Sequence, residues 1–276
     1  MSVIREHIVQ DHVLCYDIYT ARNRRECDAR LNEAKNTGQP IIRVRSLRKE
    51  YPTGDENVLV LKDIDLDIYR EQICCIYGTS GSGKSTLLNQ LAGLERPTAG
   101  EILIGGVPVT RLKEEALAAF RQQHIGFVFQ SYNLLPFMTA EENVAMPLMF
   151  RGMKKEQRLR LARRMLDNVG LPDRGDHYPG QMSGGQQQRV GIARAFINHP
   201  DIVFADEPTG NLDSKTTIEV MDMIRDFARR YHMTIIMVTH DPEMAAYADR
   251  ILTLVDGRIV SDTSNETLKE RQVETT

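Results

Sequence analysis

Residues Gly78-Thr79-Ser80-Gly81-Ser82-Gly83-Lys84-Ser85-Thr86 match the pattern G-x-x-x-x-G-K-S of a phosphate-binding P-loop. Glycines let the backbone fold tightly around a phosphate and turn its N–H groups inward. Lys84 would place a compact positive charge near the terminal phosphates, and the Ser85 hydroxyl would be a ligand for Mg²⁺. The stretch therefore predicts a site for a nucleotide and its magnesium ion.

The residues on either side of this loop have the pattern of a strand followed by a helix. Ile73–Tyr77 form a short apolar run that is typical of a buried strand. Leucines at helical spacing predict a helix from Ser85 to Leu94, with its N-terminus pointing at the phosphates, where the helix dipole favours an anion. This context favours a P-loop over the alternative, a flexible glycine–serine turn.

Composition narrows the class of protein further. The chain has 276 residues and a formal net charge of −3, which suits one large domain or two small ones and gives no electrostatic indication of a nucleic-acid partner. No apolar run approaches the roughly 18 residues that span a bilayer. Residues 1–20 lack the basic start and apolar core of a signal peptide. We therefore expect a cytosolic chain whose membrane role would require a partner.

The two ends and one internal segment differ from the rest. Residues 1–40 are polar and charged, and they are either a solvated leader or an auxiliary contact element. The main domain is expected over residues 41–262, followed by a polar tail over residues 263–276. The basic segment 151–164 is expected to be a solvated helix face, with contact to anionic lipid head groups or a membrane partner as the alternative.

Three further apolar runs predict buried strands, and polar residues stand where each one ends. These are Gln130 after Ile125–Phe129, Asp206 and Glu207 at the end of the strand from Ile202, and His240 after Thr234–Thr239. Ligands of open α/β sheets bind outside the carboxyl ends of the strands. Asp206 suits the acid that orients Mg²⁺, and Glu207 could polarise an attacking water. Because neighbouring residues on a strand point to opposite faces, we expect the two acids to have different roles.

Three other segments are candidates for contacts with a nucleotide. Tyr51 lies in a predicted turn, Tyr51–Gly54, and could stack on an adenine ring. Ser183-Gly184-Gly185-Gln186 opens a predicted helix and would be a second anion site. Asp213 lies in a loop that leads into a helix, as a cap or a cross-contact.

Together these motifs resemble the nucleotide-binding subunit of an ATP-binding-cassette (ABC) transporter, over about residues 41–262. The matching motifs are the A-loop (Tyr51), Walker A (Gly78–Ser85), Q-loop (Gln130), signature (Ser183–Gln187), Walker B (Asp206), catalytic glutamate (Glu207), D-loop (Asp213) and H-loop (His240). Met182 stands where the commoner signature has leucine. The finer resemblance is to ATPases of the macrolide-exporter and lipoprotein-release type, and it rests on Phe129–Pro136, Met182–Arg189 and Ala205–Asp213.

The resemblance implies an α/β fold: a RecA-like P-loop NTPase core, an antiparallel β subdomain and an inserted α-helical subdomain at about residues 131–182. It implies ATP and Mg²⁺ as cofactors. ATP would contact Tyr51, Gly78 to Thr86, Gln130, Ser183 to Gln186 and Asp213. Magnesium would be held by Ser85, Gln130 and Asp206, and catalysis would need Glu207, His240 and Lys84.

The resemblance also implies a head-to-tail dimer in which each ATP lies between one P-loop and the other subunit's Ser183–Gly185 turn. Hydrolysis would drive a separate integral permease at the cytoplasmic face of the membrane. Relatives of this type export or extract peptides, lipoproteins or antibiotics, or transmit force. A soluble ABC protein acting on ribosomes or DNA is disfavoured by the single P-loop, and a P-loop kinase or GTPase is disfavoured by the signature turn and His240.

Overall fold

The computed structural model of the protein describes residues 38–54 and 56–264. The predicted leader (residues 1–40) and tail (residues 263–276) therefore fall almost entirely outside the described residues and stay predictions. The last described strand continues to Ser264, so ordered sheet extends slightly past the predicted domain end at residue 262.

The described residues form two sheets. Their strands are β1 (Ile42–Thr53), β2 (Glu56–Ile68), β3 (Ile73–Tyr77), β4 (Ala99–Ile104), β5 (Val107–Pro108), β6 (Ile125–Phe129), β7 (Ile202–Asp206), β8 (Thr234–Thr239), β9 (Arg250–Val255) and β10 (Arg258–Ser264). The first sheet is antiparallel, with the order β2-β1-β4-β5. The second has the order β10-β9-β3-β8-β7-β6 and is parallel except for β10.

The helices of the described residues pack around the second sheet. They are α1 (Lys84–Leu91), α2 (Glu114–His124), α3 (Ala140–Phe150), α4 (Lys155–Asn168), α5 (Gly184–Phe196), α6 (Ser214–Arg230) and the single turn α7 (Pro242–Ala245). Within residues 38–54 and 56–264, no helix combines the length and apolar content needed to cross a membrane.

Both faces of the parallel sheet are buried, which explains why its strands read as continuous apolar runs. Alternate residues of β3 point to opposite faces. Ile73 and Cys75 join a core formed with the helices α3 to α6, whereas Cys74 and Ile76 join a core shared with the antiparallel sheet and α1. Burial raises the pKa of the Cys74 thiol to about 12, so it remains a neutral, small apolar residue.

Two local predictions are wrong in detail. Tyr51 lies within β1, where it pairs with Val58 of β2, and the chain reverses only at Gly54, which has a φ of 63°. An aromatic opposite a β-branched residue favours strand pairing, and this pair extends the hairpin beyond the predicted turn. From the apolar segment Leu134–Met138 the sequence also predicts the start of a helical region, but the helix begins only at Ala140, where Thr139 forms a capping box with Glu142.

Candidate active site

The P-loop lies between β3 and α1 and curls over its own lysine. Lys84 is 6% exposed, and its Nζ donates to the Thr79 carbonyl at 2.9 Å. Gly83 has a φ of 100°, and a Cβ at Gly78 would lie 2.4 Å from the Leu254 carbonyl oxygen, so glycine is required at both positions. Because a neutral carbonyl holds the lysine, its positive charge is available to an anionic ligand.

Ser85, in the first turn of α1, faces the end of β7. Its Oγ donates to Asp206 Oδ1 at 3.1 Å. Burial raises the pKa of Asp206, and the charge of Glu207 raises it further, against the hydrogen bond from Ser85 and the charge of Lys84. A hydroxyl beside a partly buried carboxylate offers the oxygen ligands that Mg²⁺ prefers, and a cation there would offset the cost of that buried charge. The residues present therefore fit a magnesium ion.

Glu207 and His240 follow adjacent strands. The Nδ1 atom of His240 lies 2.9 Å from Glu207 Oε1. Glu207 has left-handed backbone with a φ of 41°, and its N–H donates to the Val238 carbonyl at 3.1 Å. The strand ends at Asp206, so the expected alternation along a strand does not apply to the two acids; Glu207 lies in a left-handed turn just beyond the strand.

Gln130 follows β6 at the same edge of the sheet. Its carbonyl accepts from Asn211 Nδ2 at 3.0 Å. A Cβ at Gly210 would lie 2.7 Å from Gln130 Nε2, so the amide packs directly against the loop that follows Glu207. The structure thus places the P-loop, Gln130, the two acids and His240 at the carboxyl ends of the four adjacent strands β3, β8, β7 and β6, as predicted.

The signature turn begins α5. Ser183 is its N-cap, and a capping box joins it to Gln186: Ser183 Oγ accepts from the Gln186 N–H, and Gln186 Oε1 accepts from the Ser183 N–H at 3.0 Å. Cβ atoms at Gly184 and Gly185 would each lie 2.7 Å from a side chain, Tyr132 and Thr216 respectively. The glycines are needed for this close packing, and the turn presents free N–H groups at the start of a 13-residue helix.

Asp213 is a neighbour of the signature turn and caps α6. Its Oδ1 accepts from the Thr216 N–H at 3.0 Å, and Thr216 packs against Gly185. The Thr216 amide and hydroxyl lower the pKa of Asp213. No hydrogen bond between described residues joins this second group to the P-loop, so the site residues form two groups, one at the sheet edge and one around the start of α5.

Tyr51 lies beside the P-loop helix. Its hydroxyl donates to the carboxylate of Glu95, in the turn that follows α1. Burial and the bond to Glu95 raise the pKa of Tyr51, so its hydroxyl remains a donor.

Two residues that support the site had not been identified from the sequence. Glu95 touches Tyr51 across 44 residues of chain, and a lone glutamate in a turn gives no signal of that contact. Gln188 is fully buried, and its Nε2 donates to the Pro208 carbonyl next to Glu207. The sequence could have indicated this burial, because Gln188 lies on the same face of the helix as Ile192 and Ala195, which are buried.

Comparisons with known proteins agree with this arrangement. The sequence model of the family described as ABC transporter matches residues 61–210. The chain is 48% identical over 221 residues to the macrolide export ATP-binding/permease protein MacB of Escherichia coli (strain K12) and 49% identical to that of Shigella boydii. These matches cover 80% of this chain but 34% of the relatives, so the chain spans about a third of their length.

Solved structures give the same fold. A dimeric post-hydrolysis ATP-binding cassette, MJ0796 bound to ADP and Pi, matches with a TM-score of 0.77 and 39% identity, covering 81% of this chain and 98% of that one. A second dimeric structure of MJ0796 matches at 40% identity with the same TM-score. The predicted α/β fold of a P-loop NTPase is thereby confirmed. The chain belongs to the ABC transporter family and is one of its ATP-binding cassettes.

Proposed function

We propose that this cassette binds Mg²⁺-ATP at the carboxyl edge of its parallel sheet and hydrolyses it. The observation that carries the proposal is the convergence at that edge of an available lysine charge, the Ser85–Asp206 pair at 3.1 Å and the Glu207–His240 pair at 2.9 Å. Phosphoryl transfer needs positioned cationic groups and an oriented water, and these residue types supply both.

The binding roles follow from position. The Tyr51 ring stacks on adenine, the N–H groups of residues 78–86 surround the phosphates, and Lys84 pairs with the terminal ones. Ser85, Asp206 and Gln130 hold magnesium, which neutralises phosphate charge when it is bound.

Glu207 and His240 supply the chemistry. The Glu207 carboxylate accepts a hydrogen bond from the attacking water and orients it towards the γ-phosphate. His240 holds that carboxylate in place through its 2.9 Å contact and faces the same phosphate. Glu207 has left-handed backbone directly after Asp206, and we propose that this turn directs its carboxylate to the water and leaves Asp206 to the magnesium ion.

The second group of residues faces a second copy of the chain. Ser183 and Asp213 are both exposed, and the helix start at Ser183–Gln186 offers an anion site that the P-loop of its own chain does not fill. We propose a head-to-tail dimer in which each ATP lies between one P-loop and the partner's signature turn. The related MJ0796 cassettes are titled dimeric, which supports this arrangement.

The second protein partner that we propose is an integral membrane permease. A groove of about 450 Å³ opens between α3, α5 and β6, lined by Phe127, Phe129, Pro147 and Phe150 among others. Phe150 is 62% exposed, and Phe137, on the segment before α3, is 70% exposed. Large exposed aromatics beside an apolar groove mark an interaction surface. We propose that cytoplasmic loops of the permease dock there, which places the chain at the cytoplasmic face of the membrane as a peripheral subunit.

The relatives are named for macrolide export and for combined ATP-binding and permease parts. On that basis we propose that the permease driven here exports or extracts peptides, lipoproteins or antibiotics, or transmits force across the membrane. The balanced charge of −3 supports a role without nucleic acid.

The test combines hydrolysis with capture. Membranes from cells that express the tagged full chain are solubilised, and the captured material is analysed for an integral permease and for ATPase activity. Recovery of a permease with ATP-hydrolysing material supports the proposal. Recovery of ribosomes or nucleic acid instead, or purified chain that never hydrolyses ATP, would contradict it. Glu207→Gln is the control for contaminating ATPases, because it should keep the permease and lose the hydrolysis.

A further inference from the structure

Tyr51 and three residues linked to it through one carboxylate are called here the Tyr51 clamp: Lys49, Tyr51, Asn89 and Glu95. The Tyr51 hydroxyl donates to Glu95 Oε2. Lys49 Nζ lies 3.4 Å from the same Oε2 atom. Asn89 Nδ2 donates to Glu95 Oε1 at 3.2 Å. Every partner in the clamp therefore meets at the Glu95 carboxylate.

The clamp connects three pieces of the fold. Lys49 and Tyr51 lie on β1, Asn89 lies on the P-loop helix α1, and Glu95 lies in the turn that follows α1. Lys49 also donates to the Arg96 carbonyl at 2.8 Å. The antiparallel sheet that carries Tyr51 is thus tied through one carboxylate to the helix that begins with Lys84.

Lys49 covers one face of the Tyr51 ring. Its Nζ lies over the Tyr51 ring, 4.9 Å from the centroid, and its side chain is only 14% exposed. A cation over an aromatic face is favourable and occupies that face. A nucleobase can therefore stack only on the opposite face.

The charges of the clamp are consistent with this geometry. Burial raises the pKa of Glu95, but hydrogen bonds from Tyr51, Asn89 and Lys49 outweigh it, and the net effect is a lowered pKa. Burial also raises the pKa of Tyr51. At neutral pH a carboxylate thus accepts from a protonated phenol, which is the stronger, charge-assisted kind of hydrogen bond.

We propose that Glu95 is a positioning residue for the nucleobase, holding the Tyr51 ring in the orientation that stacks on it, with Lys49 closing the other face. This inference rests on the proposed binding of ATP. A ring fixed before binding loses less conformational freedom when the base arrives, so the clamp raises affinity by preorganisation. Glu95 touches neither the base nor the phosphates; it acts through Tyr51.

The test compares two ligands of the full chain by calorimetry in the presence of Mg²⁺: ATP, which has a base, and tripolyphosphate, which has none. Glu95→Ala should weaken ATP binding about two- to tenfold, the range expected for freeing one side chain, and leave tripolyphosphate binding unchanged. The matched control is Glu101→Ala. Glu101 is 33% exposed against 32% for Glu95 and also pairs with a basic residue, Arg111, but it does not touch the clamp.

A mutant cycle then assigns the effect to Tyr51. In a Tyr51→Ala background, Glu95→Ala should cause no further loss of ATP affinity, because there is no ring left to position. Tyr51→Phe keeps the ring and loses the hydroxyl, so it should weaken ATP binding by less than Tyr51→Ala does. Glu95→Gln still accepts from the hydroxyl and should recover most of the affinity that Glu95→Ala loses.

The outcomes separate the two levels of inference. If Tyr51→Ala weakens ATP binding and Glu95→Ala does not, the positioning role is overturned while nucleotide binding stands. If Glu95→Ala weakens ATP and tripolyphosphate equally, Glu95 supports the P-loop and the role is again overturned. If the parent chain binds neither ligand, the proposed function fails first and the role falls with it.

Discussion

His240 and Glu207 form a hydrogen-bonded pair, with 2.9 Å between His240 Nδ1 and Glu207 Oε1, across the ends of two adjacent parallel strands. The Glu207 N–H donates to the carbonyl of Val238 in β8, the strand that His240 follows. The backbone of the acid is therefore held by β8 and its side chain by the residue just after β8. A glutamate held this firmly at the ligand edge of a sheet suits a group that must orient one water molecule.

Replacing Glu207 by glutamine should separate binding from hydrolysis. The amide keeps the shape and a hydrogen bond but loses the charge, so Glu207→Gln should bind Mg²⁺-ATP and hydrolyse it at least about a hundredfold more slowly. With turnover blocked, the variant should accumulate as a dimer with two nucleotides. Size-exclusion chromatography with ATP and Mg²⁺, followed by nucleotide analysis of the peak, measures both.

The matched control is Glu243→Gln, which removes a carboxylate from the same cleft, on α7, without touching His240. It should behave like the parent chain. Undiminished turnover in Glu207→Gln, or a variant that stays monomeric with ATP bound, would count against the mechanism.

Removing the charge of Lys84 should act one step earlier. Lys84→Met keeps the buried alkyl chain but loses the ammonium group, so ATP binding should weaken by at least about tenfold while the fold is retained. Without bound ATP the variant should remain monomeric under the conditions that dimerise Glu207→Gln. The exposed Lys113 provides the control, as Lys113→Met. Equal ATP affinity in Lys84→Met and the parent would contradict the assignment of Gly78–Thr86 as the phosphate-binding loop.

Local patterns explain why much of the site could be predicted from the sequence. Gly78–Thr86 has a fixed spacing set by phosphate geometry, and strands such as Thr234–Thr239 are apolar along their whole length because both faces are buried. Such strands end at a common edge in any parallel sheet, so Gln130 and His240 could be placed before the structure was known.

Contacts between distant segments explain what could not be predicted. Tyr51 was expected in a turn because its pairing with Val58 depends on hairpin register, which a neighbouring glycine and proline obscure. Glu207 has left-handed backbone, which the sequence does not predict because glutamate rarely adopts it. The contact between Glu95 and Tyr51 forms only when α1 packs beside β1.

The turn between β9 and β10 should be intolerant of a side chain. Gly257 has a φ of 73°, its N–H donates to the Ser82 carbonyl of the P-loop at 3.0 Å, and its carbonyl accepts from the Lys62 N–H. A Cβ there would lie 2.0 Å from the Val60 carbonyl oxygen. Gly257→Ala should therefore lower the free energy of unfolding by about 3 kcal/mol or more and weaken ATP binding, because the backbone that supports Ser82 must move.

Gly106→Ala separates steric conflict from backbone strain. Gly106 has a similar φ of 78°, but a Cβ there would meet nothing within 4 Å. It should cost only about 1–2 kcal/mol, the penalty of a left-handed conformation, and leave ATP binding unchanged. Urea unfolding and calorimetry measure the two quantities, and equal losses in the two variants would refute the contact with Val60.

The junction of the two sheets should show a defined dependence on pH. Asp67 on β2 accepts from Arg45 at 2.9 Å and lies 3.7 Å from Arg43, and Arg250 of β9 donates to its backbone carbonyl at 2.6 Å. The hydrogen bond from Arg45 lowers the pKa of Asp67; burial opposes this shift, and the nearby arginine charges add to it. The folded chain thus holds this carboxylate ionised at a lower pH than the unfolded chain does.

The sign of the effect follows from linkage. Between the lowered pKa and the ordinary aspartate value of about 3.9, the unfolded chain binds more protons, so acid favours unfolding. The contribution of Asp67 is present above that ordinary value and is lost as the pH falls through the lowered pKa.

The difference in free energy of unfolding between the parent and Asp67→Asn should therefore be largest near pH 7 and shrink below about pH 4. Urea unfolding over this range measures it, with the exposed Asp173→Asn as the control. High salt should reduce the difference at neutral pH, because the side chain is 31% exposed and its ion pairs are screened. A difference that grew as the pH fell would mean that Asp67 is stabilised in its protonated form, contrary to the arginine contacts.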